Sequence, residues 1–382
     1  MYITEEHEMI RKTVRDFAER EIKPVAQELD EKGEFSLPLT KRMGELGLFG
    51  LITETKYGGS EMDMLAYVIA VEELARVDGS HAATLAAHIS LGMGPIMNFG
   101  TDEQKQKYLP MLTTGDALWA FGLTEPDAGS DSRGTKTSAR IEGDQWVING
   151  SKIFITNGAS SINKGATVQV VSGENKGKKE FTTILVDADT PGFKRVSMHG
   201  KMMWRASDTA ELYFDDCRVP LTNTLGKRGE GSKIMLNTLD SGRLAIGAMG
   251  LGCAQGAFEM ALQYSKERKQ FGKPIGHFQV NTFKLADMAT KIELGRNLLY
   301  KGCWLKTNGK PYAKEAAMAK LYCSEIAREV ADEGVQIHGG YGLMKDYPIE
   351  RFYRDQRLLQ IGEGTSEIQR LVIARHIGVF DE

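Results

Sequence analysis

Glu363 is the carboxylate in this sequence best placed to act as a base. It stands between Gly362 and Gly364, so its side chain is sterically accessible. Thr365 or Ser366 directly behind it can cap a following helix. This pattern allows an acid–base residue at the entrance to a helix, although the residues alone favour a surface acid in a loop.

A second stretch, Phe121–Asp131, runs from a strand into a turn rich in Pro, Gly and Ser. Such a turn exposes successive backbone N–H groups and hydroxyls, which suits the hydrogen-bonding edge of a polar ring or a phosphate. A plain β-turn explains the same residues.

A third stretch, Trp146–Gly158, predicts a β-hairpin because Asn149-Gly150 is a common two-residue hairpin turn. Phe154 and Thr156 are two positions apart, which places both side chains on one sheet face. They could wall a flat cofactor, or simply pack within a strand.

Two further stretches favour a bound ligand. Arg268–Ile275 combines a helix end, a basic turn and a proline, which is typical of an anion site. Gln336–Gly342 contains Gly339-Gly340, where a ligand can approach the backbone closely. A solvated turn is the alternative in the first case.

Other chemistries are disfavoured. The near match to a dinucleotide fingerprint at residues 250–256 has its third glycine one residue late and follows no strand, so glycines at a helix crossing explain it better. The histidines show no i, i+4 pair and the four cysteines no CxxC, so no metal site is predicted. Free thiols and the lack of a signal-peptide pattern favour the cytoplasm.

The composition also limits the partners. The 382 residues carry a net charge of −3, which gives no reason to expect nucleic acid or an anionic membrane. The sequence has no run of 18 apolar residues, so no membrane span is predicted.

The elements that must position these residues fall into three regions. Residues 1–118 follow helical periodicity, residues 119–228 alternate short β-branched runs with turns, and residues 229–382 are again helical. The order predicts an α+β fold and argues against a Rossmann or barrel arrangement of βαβ units.

Taken together, the segments LTEPDAGSD and QIHGGYG and the late Glu-Gly-Thr resemble the acyl-CoA dehydrogenase family over essentially the whole chain. The resemblance implies an N-terminal α-helical domain, a middle antiparallel β-barrel domain and a C-terminal four-helix bundle. It also implies an FAD-dependent homotetramer that oxidises an acyl-CoA thioester to the trans-2-enoyl-CoA and passes electrons to an electron-transfer flavoprotein.

The resemblance assigns a role to each matched position. Glu363 would remove the α-proton while the β-hydride goes to flavin N5, and a dry pocket should raise its pKa. Some relatives carry the base at the position of Gly242, which cannot do this. The FAD contacts would be Leu123, Thr124, Gly129, Ser130, Phe154, Thr156, Arg268, Phe271, Gln279, Gln336, Gly339, Gly340, Thr365 and Glu367. Of these, Arg268, Phe271 and Gln279 would meet the FAD of a neighbouring subunit. The substrate contacts would be Ser130, Asp240, Arg243 and Gly364.

The acyl group is expected to be short or medium in length. Gly362 replaces a tyrosine common in straight-chain relatives, which indicates room for a branched or alicyclic group. The stretch His88–Ile96 should line the far end of the acyl pocket, and its lack of Lys, Arg or carboxylates disfavours a dicarboxylyl substrate. Alternatives are a straight-chain butyryl-CoA dehydrogenase, a flavin oxidase or monooxygenase of the same fold acting on a non-CoA substrate, and a non-catalytic binding protein.

Overall fold

The computed structural model describes residues 3–380, apart from the side chain of residue 175. A helical region, a sheet region and a second helical region follow one another along the chain, which confirms the predicted α+β fold. The helices of the first region are α1 Glu5–Phe17, α2 Lys23–Lys32, α3 Leu37–Glu45, α4 Met64–Ala75, α5 Gly79–Ala86, α6 Gly94–Phe99 and α7 Asp102–Leu112.

Local sequence explains where these helices begin. Thr4 with His7 and Thr101 with Gln104 form capping boxes at the starts of α1 and α7, satisfying backbone N–H groups that have no partner inside the helix. Helix α4 is buried on every side. A π-helical turn over Ala87–Met93 joins α5 to α6, and such turns are frequent at functional sites.

The middle region is one sheet of eight strands. The strands are β1 Leu118–Gly122, β2 Ser138–Glu142, β3 Gln145–Thr156, β4 Asn163–Asn175, β5 Lys178–Asp187, β6 Phe193–Ser197, β7 Thr209–Pro220 and β8 Thr224–Leu225. The order β6-β7-β3-β2-β4-β5-β8 is antiparallel at every step except β2–β4, and β1 also pairs with β4 in parallel. The predicted antiparallel domain is therefore a mostly antiparallel, mixed sheet.

The predicted hairpin turn at Asn149-Gly150 is wrong. Both residues lie inside β3, and the turn that joins β2 to β3 is Gly143-Asp144. At Gly150 the pairing of β3 with β7 shifts register, and a Cβ there would lie 2.6 Å from the Thr137 hydroxyl. Glycine is needed because another segment passes close to this strand, and no reversal of the chain occurs there.

The last region is built on three long helices and two short ones. They are α8 Gly231–Glu267, α9 Gln279–Thr307, α10 Ala313–His338, α11 Ile349–Asp355 and α12 Ser366–His376, with a two-stranded ribbon of β9 Lys269–Gln270 and β10 Lys273–Pro274 after α8. These helices agree with the helical periodicity that the sequence shows in this last region.

Helix α8 is the centre of the molecule because its glycines let other helices approach. A Cβ at Gly252 or Gly256 would lie 2.2 or 2.1 Å from backbone oxygens at the end of α4, and one at Gly250 would meet the backbone of α10. This confirms that the glycines at 250–256 serve helix crossings. Helix α8 is long and apolar enough to cross a membrane, but 78% of its most apolar window is buried inside the protein, as in a core helix.

Candidate active site

Glu363 lies in the tight turn between α11 and α12, and its backbone adopts a left-handed conformation with φ 52°. The residue as a whole is half-buried, yet its carboxylate oxygen Oε2 is buried without a hydrogen-bond partner. Unpaired buried carboxylate oxygens are costly and rare in folded proteins, so this one points to a ligand or a reaction.

The carboxylate of Glu363 rests on Gly242 of α8. A Cβ at Gly242 would lie 1.9 Å from Oε2 of Glu363 and 3.2 Å from a methyl of Leu91. The two positions at which the family resemblance places a base are therefore adjacent in space. Only a glycine at 242 leaves room for the Glu363 carboxylate at this point.

The environment makes Glu363 a stronger base than an exposed glutamate. Burial raises the pKa of Glu363 to about 7, while the positive charges of Lys320 and Arg243 act in the opposite direction. The increase is in the direction that the sequence predicted. At neutral pH the group is poised between its two protonation states, as a general base requires.

The predicted substrate residues on α8 lie beside this carboxylate. Arg243 is buried and forms an ion pair with Asp240 one turn earlier, and burial raises the pKa of Asp240. Gly364, with φ 96°, follows Glu363 directly. The structure thus brings Glu363, Gly364, Asp240 and Arg243 together.

A cavity of about 390 Å³ is lined in part by the π-helical turn Ala87–Met93. Its lining includes Ile89, Ser90 and Gly94 from the predicted acyl-pocket stretch, together with Ser241, the neighbour of Gly242. Charged side chains from other segments also line it, namely Glu54, Asp63 and Lys306. The expectation against a dicarboxylyl substrate stays a prediction, because these three charged residues lie outside the stretch 88–96 on which it rests.

The turn after β1 and the end of β3 form a second cluster of predicted site residues. Leu123 and Thr124 are half-buried and Gly129 and Ser130 are exposed. The Ile153 N–H donates to the Thr124 carbonyl at 3.0 Å, so this turn lies beside the strand that carries Phe154 and Thr156. Phe154 has φ 61° at a register shift of β3, so strand alternation alone does not set its direction.

A buried ion pair supports this turn. Lys152 is fully buried, and its Nζ donates to Glu125 Oε1 at 2.7 Å and to the Leu123 carbonyl at 3.1 Å. The Glu125 carboxylate also accepts from the backbone N–H groups of Lys136 and Thr137. The ion pair joins the turn, the following segment and β3 into one unit.

A third cluster forms where α8 ends against the end of α10. A cavity of about 530 Å³ is lined by Arg268, Gln270, Gly339, Gly340 and Tyr341, among others. The Arg268 guanidinium lies 5.5 Å from the ring centre of Tyr341. The cavity thus combines two motifs that are some 70 positions apart in sequence. One supplies the Arg268 side chain, and the other supplies glycine backbone that a ligand can approach.

The remaining predicted contacts lie at the surface. Gln336 and Gln279 are exposed, and Glu367 is exposed in the first turn of α12. Thr365 caps α12 by accepting from the Ile368 N–H. Phe271, with φ 52°, is 93% exposed, and together with Gln279 it lies outside the residues that line the third cluster's cavity.

These surfaces fit an FAD. Phe154 leaves 64% of its side chain exposed beside the polar turn, which offers an aromatic wall to a flat ring. A Cβ at Gly339 or Gly340 would meet nothing within 4 Å, which leaves space at a cationic cavity for a pyrophosphate or adenosine. Among residues 3–380, no group of His, Cys, Asp and Glu is arranged to hold a metal ion.

Comparison with known proteins agrees with this architecture. Residues 4–116, 120–217 and 229–378 match the family models for the N-terminal, middle and C-terminal domains of acyl-CoA dehydrogenases. A probable acyl-CoA dehydrogenase of Bacillus subtilis, YngJ, is 50% identical over 376 residues, or 98% of each chain.

Two solved structures superpose closely over 98% of each chain. The butyryl-CoA dehydrogenase of Megasphaera elsdenii has a TM-score of 0.95 at 43% identity. A chain from a structural study of the electron-transferring flavoprotein of Acidaminococcus fermentans has a TM-score of 0.95 at 44% identity. The chain belongs to the acyl-CoA dehydrogenase family, and it is an FAD-dependent oxidoreductase of that family.

Sequence reasoning missed several residues that support the site. Glu125 lies inside a recognised motif but was not singled out, and Lys152, Lys320 and Gln369 were not predicted to take part in the site. Lys320 and Gln369 are fully buried in a helical region, where a lysine or glutamine is unusual. Their polar positions on otherwise apolar helix faces are the one sequence feature that could have pointed to them.

Proposed function

We propose that this protein oxidises a short-chain acyl-CoA to its trans-2-enoyl-CoA, with Glu363 as the base that removes the α-proton. The observation that carries the proposal is the buried, unpaired carboxylate oxygen of Glu363 above Gly242. Burial raises the pKa of this group to about 7, which suits the removal of a weakly acidic proton.

The turn that carries Glu363 also offers a donor for the thioester. Among residues 3–380, no backbone or side-chain acceptor takes up the Glu363 N–H. We assign this group to the thioester carbonyl oxygen, where negative charge develops as the α-proton leaves. Arg243 and Asp240 border the path of the pantetheine chain. Bound FAD supplies the oxidant that accepts the β-hydride.

The FAD contacts divide between two clusters in our proposal. The isoalloxazine would lie against Phe154 and Thr156 and the turn from Leu123 to Ser130. Gln336, Gly339 and Gly340 would hold the pyrophosphate and adenosine portion of the FAD of a neighbouring subunit. Arg268, which lines the same cavity as the two glycines, would contact that FAD from the same chain, as would Phe271 and Gln279. Thr365 and Glu367, which come later in the sequence, would also contact the adenosine.

We also propose a homotetramer and an electron-transfer flavoprotein as electron acceptor. Phe271 is 93% exposed, and Val280 and Phe283 at the start of α9 are 62% and 58% exposed. An exposed apolar surface of this kind fits a second copy of the chain. The similarity to the chain from the flavoprotein study supports the acceptor. We place the protein in the cytoplasm, where its four buried, unpaired cysteines would stay reduced.

A branched or alicyclic acyl group is the second candidate, favoured by Gly362. The three atoms nearest to a Cβ at this position all belong to Leu358, at 3.5 to 3.8 Å. The flexible Leu358 side chain is thus the main neighbour on that side, where straight-chain relatives often have tyrosine.

An anaerobic titration of the FAD-loaded protein tests both candidates. The panel is butyryl-, octanoyl-, isobutyryl-, isovaleryl-, cyclohexanecarboxyl- and glutaryl-CoA, with Glu363→Gln as control. We expect the flavin absorbance to bleach most completely with butyryl-CoA and not with any thioester in the variant. Strongest bleaching by isobutyryl- or isovaleryl-CoA would favour the branched substrate. No bleaching by any thioester would overturn the dehydrogenase proposal and favour an oxidase of the same fold.

A further inference from the structure

Lys320 is a buried lysine with no carboxylate beside it. It lies on α10 and is 0% exposed, and among residues 3–380 no Asp or Glu oxygen lies within 4.0 Å of its Nζ. Its Nζ donates a hydrogen bond to the Gly364 carbonyl at 2.7 Å, across 44 positions of sequence. Burying an ammonium without an ion pair is costly, so the fold must gain something from it.

The turn that Lys320 contacts is strained. Glu363 has φ 52°, which a residue with a side chain seldom adopts, and Gly364 follows with φ 96°. The Nε2 of fully buried Gln369 donates to the Glu363 carbonyl at 3.3 Å and to the Gly364 carbonyl at 3.0 Å. Such backbone conformations persist only where surrounding groups fix them, and here Lys320 and Gln369 are those groups.

We propose that Lys320 is a positioning residue for Glu363: its ammonium holds the strained turn through the Gly364 carbonyl and supplies positive charge that stabilises the Glu363 carboxylate. This inference rests on the proposed function of Glu363 as the base. Gln369 has the same mechanical role without the charge.

The charges around Glu363 come from three helices. Lys320 on α10 and Arg243 on α8 favour its ionised form, and Asp240 partly neutralises Arg243. Tyr67 on α4 is near enough for the Glu363 charge to add to the effect of burial in raising the pKa of its phenol, so Tyr67 stays neutral. Glu367 on α12 is exposed and acts on Lys320 more weakly than Glu363 does.

The two buried groups influence each other's protonation. Burial lowers the pKa of Lys320 to about 8, and Glu363 opposes that decrease. Near neutral pH the ammonium is therefore charged while Glu363 titrates. Without that charge, burial acts on Glu363 with less opposition and its pKa rises. The base is then protonated over more of the working pH range.

The test compares Lys320→Arg, Lys320→Gln and Lys320→Met in the FAD-loaded protein, with Lys314→Gln as the matched control. Lys314 lies on the same helix but is 40% exposed and pairs with Glu315. The readout is the pH dependence of kcat/KM for butyryl-CoA. On the acidic side of this profile, kcat/KM falls as Glu363 becomes protonated. We expect this acid limb to move up by about 1 pH unit in the Gln and Met variants. It should stay in place in the Arg variant and the control.

Wild-type acid limbs in the Gln and Met variants, with kcat lowered equally at every pH, would overturn the charge role. If the Met variant fails to fold, the Gln variant retains a polar group and decides the question. Failure of the Lys320 inference can be told apart from failure of Glu363 as the proposed base. If Glu363→Gln reduces flavin as fast as wild type, Glu363 is not the base. If Glu363→Gln is inactive and the Lys320 variants show no shift, only this inference fails.

Discussion

At the scale of single residues, the action of Glu363 as a base depends on its contact with Gly242. The carboxylate is buried and its pKa is raised to about 7, so it can accept a proton at neutral pH. Its position is fixed by the strained turn on one side and by the missing side chain of Gly242 on the other. A small change at 242 should therefore disturb the reaction without touching the FAD contacts.

We predict that Gly242→Ala lowers kcat about 100-fold, since a Cβ there would lie 1.9 Å from Glu363 Oε2 and displace the base. FAD content should stay at the wild-type level. Gly247→Ala, on the same helix, is the control, because its Cβ would meet only a Leu299 methyl within 3.4 Å. Steady-state kinetics with butyryl-CoA measure both variants, and a wild-type kcat in Gly242→Ala would contradict the geometry.

At the scale of elements, the Lys152–Glu125 ion pair is what holds the flavin-side turn against β3. Replacing Lys152 by Met leaves the Glu125 carboxylate buried without its counter-ion, which costs about 3–5 kcal/mol of folding stability. We also expect weaker FAD binding, because the Leu123 carbonyl loses its donor. Denaturant unfolding and FAD titration of the apoprotein measure the two effects.

A lysine in the same region provides the control. Lys136 pairs with Asp127 at the surface, where both side chains are more than two thirds exposed, so Lys136→Met should leave stability and FAD affinity unchanged. Equal effects of the two substitutions would show that the buried pair has no special role in the turn.

The sequence predicted the elements better than the contacts between them. Glu363 could be found because glycines flank it, and α8, α9 and α10 because their periodicity is long. Asn149-Gly150 was misread because its glycine serves a close approach to Thr137, which only the tertiary structure shows. Lys152 and Lys320 act through partners 27 and 44 positions away, so no local pattern could reveal those contacts.

At the scale of the whole molecule, the three regions meet at a buried acidic junction. The Asp355 carboxylate at the end of α11 accepts from the Trp204 N–H of the sheet region at 2.8 Å, close to Asp78 before α5. Burial and the negative charge of Asp78 raise the pKa of Asp355 to about 7. For Asp78 itself, the opposing effect of burial is outweighed by His81 and Arg351, which lower its pKa to about 2.

This junction makes stability depend on pH. Between about pH 4 and pH 7, folded Asp355 holds a proton that the unfolded chain has released, so its contribution to stability falls as pH rises, by at most about 4 kcal/mol. We predict that Asp355→Asn, which keeps an oxygen acceptor for Trp204, gives a smaller decrease in melting temperature from pH 5 to pH 8 than wild type. Glu363 contributes with the same sign in both proteins, so the difference reports Asp355, and identical decreases would contradict the assignment.

The decisive measurement for Glu363 as the base is the rate of flavin reduction in a single anaerobic turnover at subsaturating butyryl-CoA, followed from pH 5.5 to pH 9. Because Glu363 must be ionised to accept the α-proton, and because the rate at subsaturating substrate reports the free enzyme, we predict a wild-type rate that falls tenfold per pH unit below a pKa near 7. Glu363→Gln should bind FAD normally and show no reduction at any pH. A wild-type rate that is flat across this range, or a Glu363→Gln variant that still bleaches, would contradict the assignment of Glu363 as the base.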